Sequence, residues 1–115
     1  MKYLCLIYDD EKKMGAMSKG ESDAFMGEYM AFTEAIKTGG QYVGGNALQP
    51  VATATSIRLR NGKLSTTDGP FAETKEQLGG YYLIEAKDLN EAISVASRIP
   101  SAKTGTIEVR PIMVY

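Results

Sequence analysis

The chain has 115 residues, 43% of them apolar and 23% charged, with a formal net charge of -1. This size and composition fit one folded domain over residues 1–115 with a core of its own. The near-neutral charge leaves no basic footprint for nucleic acid, and no apolar run approaches the roughly 18 residues that span a bilayer.

Lys2 to Tyr8 interleaves Tyr3, Cys5 and Ile7 with Leu4, Leu6 and Tyr8, two largely apolar sets. That pattern predicts a central strand covered on both faces. The acidic turn that follows, and the lack of a small-residue cleavage site, separate this opening from a signal peptide. Asp9 to Gly15 reads as a polar connection. Ser18 and Glu21 form a capping box, and Phe25, Tyr29, Phe32 and Ile36 recur at helical spacing with Met26, Met30 and Thr33 beside them. This stripe is read as core packing, and Gly39-Gly40 ends the helix. Gln41 to Gly45 is a short strand and Asn46 to Pro50 a loop. Thr53 to Arg60 and Lys63 to Thr67 make a hairpin around Asn61-Gly62. Gly80 to Ala86 is a further strand. Asp88 and Glu91 cap a second helix carrying Leu89, Ala92, Ile93, Ala96 and Ile99 up to Pro100. Thr106 to Val114 is the last strand.

This order predicts an α+β fold, ferredoxin-like βαββαβ with an inserted β-hairpin, its antiparallel sheet carrying two helices on one face. The other face holds one alternating set from each strand, with Glu85 and the Glu108/Arg110 pair among them. An open face with apolar members needs cover. A second copy supplies it, which predicts a homodimer enclosing a cleft between two sheets.

The absent residue types limit the chemistry. There is no histidine, no tryptophan and one cysteine, Cys5. Ser-His-Asp and Cys-His catalysis within one chain is excluded, as are zinc sites built on His or on several Cys. No loop carries the spaced ligands of an EF-hand. Neither metal nor cofactor is expected. A lone thiol without an internal partner points to a reducing, cytoplasmic setting. Acid-base work would fall to Asp, Glu, Tyr, Lys or Cys.

The run TDGPFAETKEQLGGYYLIEA, residues 67–86, is the densest in candidate chemistry. Pro70 fixes its own backbone, so the Asp68-Gly69-Pro70-Phe71 corner is stiff and holds Asp68 in a defined place. Asp68 is the candidate catalytic residue, as general acid or base. It is also a candidate ligand group, or a brace accepting backbone N–H groups of its turn. Phe71 is an apolar plug or a stacking surface. Tyr8 and Tyr81 are candidate phenolic donors to a ligand, and Arg110 a candidate anchor for an anionic group. Tyr81 and Tyr82 fall on opposite faces of their strand. Cys5, mid-strand among apolar neighbours, reads as an inert core thiol.

The same run resembles the signature of the DGPF (DGPFAETKE) branch of the YCII-related family. The opening MKYLCLIYDDE, the stretch LQPVATATSIRLRNGK, the Ser97-Arg98-Ile99-Pro100 turn and the closing GTIEVRPIM are similar to the family pattern too, so the likeness covers almost the whole chain. It implies a dimeric α+β barrel, in which two ferredoxin-like sheets face each other. The motif position that carries over is Asp68. The histidine proposed as its partner in the wider family has no counterpart here. Resemblance to accessory proteins encoded near alternative sigma factors implies a transcription-initiation factor as a partner. The residues and the resemblance lead to a binding or regulatory module holding a small molecule in the inter-sheet cleft. The alternatives are a lyase- or isomerase-like acid-base enzyme using Asp68, and a purely structural interaction protein.

Overall fold

The computed structural model describes residues 1–115. Strand β1 (Lys2–Asp9) leads into a short helix α1 (Glu11–Gly15) and a long helix α2 (Lys19–Thr38). Strand β2 (Tyr42–Ala47) follows, then the hairpin β3 (Thr55–Arg60) and β4 (Lys63–Asp68). Strand β5 (Gln77–Glu85), helix α3 (Leu89–Ala96) and strand β6 (Thr106–Pro111) complete the chain. The main sheet runs β2-β5-β1-β6, antiparallel throughout, which is the ferredoxin-like order with β3-β4 set apart as a two-stranded sheet. No helix is long and apolar enough to cross a membrane.

Several boundaries differ from the sequence reading, each for a local reason. The segment after β1 is helical because Asp10 Oδ1 accepts the Lys12 N–H and caps α1. β5 begins at Gln77, three residues early, by pairing with Asp9 and Tyr8 beyond a bulge. β2 continues through Ala47, opposite Gly80. α3 stops at Ala96, and β6 stops at Pro111, which has no N–H to continue a ladder. The capping box of α2 is present in full, Ser18 Oγ accepting the Glu21 N–H and Glu21 Oε1 accepting the Ser18 N–H. Asn61 and Gly62 take positive φ, as the hairpin turn requires.

The core lies between one face of the sheet and α2 and α3. Tyr3, Cys5 and Ile7 of β1 and Tyr82 and Ile84 of β5 meet Phe32 and Ile36 of α2, and Ala92, Val95 and Ala96 of α3. The register places Leu4 beside Leu83, Leu6 beside Tyr81 and Glu108, and Leu4 beside Arg110. These residues form the opposite face, which no helix covers. The chain is a slab of 47 × 45 × 18 Å with a radius of gyration of 16.1 Å. A compact domain of this length has about 13 Å.

Candidate ligand-binding cleft

The first half of α2 overhangs the sheet instead of packing into it. Only Phe32 and Ile36 of this helix are buried. Phe25 and Tyr29 are half-buried, and Met26 and Met30 stay 62% and 66% exposed. The stripe read as core packing is therefore core in its second half only. Beneath the first half, Gly80 of β5 and Gly45 of β2 present no side chain to the helix layer. A Cβ at either would come within 2.9 Å of neighbouring strand atoms, so strand packing holds both positions at glycine. The unfilled space is a cleft of about 970 Å³.

Its walls are soft and aromatic. Met14 and Met17 of the α1–α2 region, Met26 and Met30 of α2, and Leu48 line it, with Phe25, Tyr29, Tyr42 and Tyr82. Two of the phenols are fixed. Tyr29 Oη lies 2.5 Å from Ser101 Oγ, and Tyr82 Oη lies 2.6 Å from Thr33 Oγ1. Thr33 donates its own hydrogen to the Tyr29 carbonyl, so Tyr82 donates to Thr33. Burial pushes both phenols above the ordinary tyrosine range, and each stays a neutral hydroxyl at physiological pH.

One end of the cleft is clasped by three segments meeting at Glu11. Its N–H donates to Gln77 Oε1 and its Oε2 accepts the Val51 N–H. Gln77 Nε2 donates in turn to the Thr74 carbonyl, and Thr106 Oγ1 donates to Glu76 Oε1. The Thr74-to-Gln77 end of the signature run is thus a brace that links the cleft to β6. Nearby, Asp9 Oδ1 accepts the Thr104 hydroxyl.

The five residues singled out in the sequence divide between the open face of the sheet and the hairpin. Tyr81 borders the cleft by its place in β5, but its side chain stands on the open face beside Leu6, where its Oη accepts an Asn46 N–H. Tyr8 and Arg110 meet on the open face of the sheet, both bound to Glu108, which accepts from the Tyr8 hydroxyl at 3.4 Å and from Arg110 Nε at 2.7 Å. Arg110 is an ion-paired residue there, with Glu108 holding its guanidinium. Asp68 ends β4, exposed, opposite Thr55, and Phe71 is 83% exposed. At the corner between them Gly69 carries the hydrogen bonds. Its N–H donates to the Ala54 carbonyl at 2.7 Å and its carbonyl accepts the Ser56 hydroxyl. The Asp68 carboxylate accepts no hydrogen bond within the chain, and Asp68 is not among the residues lining the cleft. The cleft itself sits on the helix side of the sheet, whereas the sequence reading placed a ligand between two sheets. Glu11, Gln77 and the α2 methionines were not singled out. Four of the six methionines lie between residues 14 and 30, and that clustering was the available signal.

Comparison with known proteins bears on the whole chain. A family model described as the YCII-related domain matches residues 1–115. "Uncharacterized protein R00369" of Rhizobium meliloti (strain 1021) is 38% identical over 117 residues, covering 100% of this chain and 94% of that protein. Among solved structures, 5-chloro-2-hydroxyhydroquinone dehydrochlorinase (TftG) from Burkholderia phenoliruptrix AC1100, in complex with 2,5-dihydroxybenzoquinone, superposes with a TM-score of 0.57. The alignment covers 98% of this chain and 94% of that one, at 15% identity, and shows a shared fold.

Proposed function

Because this chain belongs to the YCII-related family, we propose that it works as a dimer that binds a small, largely apolar ring compound in the α2 cleft. The observation that carries this reading is the cleft itself, about 970 Å³ and walled by methionine and aromatic side chains. Ligand sites are concave and mostly apolar, with a few placed polar groups. Here Thr33 and Ser101 supply those groups at fixed positions. Methionine adapts its shape to irregular ligands, and its sulfur packs well on rings. A protein of the same fold holds a quinone, which lends support to a small cyclic ligand.

The dimer reading rests on surface. The chain exposes 8051 Å², where a compact monomer of its mass exposes about 6,200 Å². The excess is about 1,900 Å² per chain, the scale that obligate partners bury. Two such sheets face to face would form the dimeric α+β barrel and also cover the hairpin. A reducing cytoplasm suits a protein whose lone thiol is buried.

Nuclear magnetic resonance of methyl-labelled methionine tests the ligand reading. Titration with neutral bicyclic aromatics is expected to shift the methyls of Met14, Met17, Met26 and Met30 and to leave Met113 unmoved. Met26→Glu with Met30→Glu, both at exposed positions, should weaken binding at least about tenfold while the fold stays intact. Unresponsive cleft methyls across such a panel would refute the reading.

A further inference from the structure

Resting on the cleft reading above, we propose that the cleft selects its ligand by charge, taking protonated amines and neutral ring compounds and rejecting carboxylates and phosphates. Three of its 25 lining residues are carboxylates, Asp9, Glu11 and Glu34, and none is Lys or Arg. With 13 Lys and Arg in 115 residues, an average sample of 25 would hold about three. The basic residues around it stand outside the lining. Lys37 holds its ammonium 5.1 Å from the centre of the Tyr42 ring, a wall of the cleft, while Lys19 pairs with Asp23 and Lys103 pairs with Glu28.

The carboxylates keep capacity for a ligand. Asp9 uses Oδ1 on Thr104 and Glu11 uses Oε2 on Val51, while Asp9 Oδ2, Glu11 Oε1 and both oxygens of Glu34 accept nothing within the chain. The aromatic walls add to the same preference. Ring faces attract cations, and polarizable thioethers pack against an alkylammonium stem without competing for its hydrogens. An anion entering this space would meet the half-buried Asp9 and Glu11 and the exposed Glu34, with no guanidinium or ammonium among the lining residues.

The test uses three probes that share one ring and differ in charge: 1-naphthylmethylamine, 1-naphthalenemethanol and 1-naphthoate. Each is titrated into the intact protein while the methionine methyls are followed. The amine is expected to bind at least about tenfold more tightly than the carboxylate, with the alcohol between them. Asp9→Asn combined with Glu34→Gln preserves shape and should bring amine and carboxylate within about threefold of each other. Naphthoate binding as tightly as the amine, with cleft methyls shifting, would overturn the charge inference and leave the cleft reading standing. An undiminished preference for the amine in the double variant would overturn the role given to these carboxylates. If no probe moves Met14, Met17, Met26 or Met30, the cleft reading fails and the charge inference falls with it.

Discussion

Cys5 lies mid-strand in β1 with no exposed surface, paired with Tyr82 on one side and Val109 on the other. Desolvation by burial pushes its thiol up to about 11. In the unfolded chain the thiol ionises near its ordinary value of 9.0, while in the folded chain it stays protonated up to about 11. Between about pH 9 and about pH 11 the unfolded state therefore binds fewer protons, and stability falls as pH rises. Below that window the thiol contributes no slope. Cys5→Ala is expected to remove an alkaline loss on the order of 2–3 kcal/mol, read as a flatter urea midpoint against pH. Burial also predicts that native Cys5 resists a thiol reagent at pH 8 and reacts once urea unfolds the chain. The buried-thiol expectation from sequence needed only the apolar neighbours of Cys5 and its place in a strand.

Helix α2 depends on its start. Its cap joins Ser18 and Glu21 reciprocally, while the half-turns that follow overhang the cleft and gain little from core burial. Ser18→Ala should cost about 1 kcal/mol of stability in denaturant titrations and should loosen the cleft wall before it loosens the core. The backbone and side-chain bonds from Ser18 lower the Glu21 carboxyl below its ordinary value. A depressed carboxyl stabilises above its unfolded value, and that contribution is lost as pH falls through the folded value. Glu21→Gln should accordingly make the helical signal at this end less sensitive to acid than in the wild type. The hairpin β3-β4 presents the opposite case. Ile57, Leu59 and Leu64 are each more than 60% exposed, and an isolated two-stranded hairpin is marginal in water. Its turn was legible as Asn61-Gly62, but its separation from the main sheet was not, because hydrogen-bonding partners beyond the turn leave no trace in local pattern.

At the scale of the molecule, thickness decides. A sheet with helices on one side only is 18 Å through, and its uncovered face carries Leu4, Leu6 and Leu83 around the Glu108–Arg110 pair. Sedimentation should give twice the 12.5 kDa chain mass at micromolar concentration. Leu83→Asp places an unpaired charge on that face and should shift the population to monomer without unfolding it. A wild-type chain that sediments as a monomer at high micromolar concentration would refute the proposed dimer. Asp68 and Phe71 are exposed beside the hairpin.

The sequence by itself determined the order of the strands and the two longer helices, the capping box and the hairpin turn. Each follows from contacts between residues close in the chain, where periodicity and turn chemistry act directly. Family membership was legible for a related reason, since DGPFAETKE is one continuous run. The cleft was decided only by tertiary structure. Gly45 and Gly80 lie far apart in sequence, and only the β2–β5 register brings them together in the cleft that Phe25 and Met26 also line. Glu11 became a clasp because Val51 and Gln77 arrive beside it from two other loops. Helical spacing shows that a stripe is apolar. Whether that stripe meets a sheet or a void depends on the distance to the layer beneath, which no local pattern encodes.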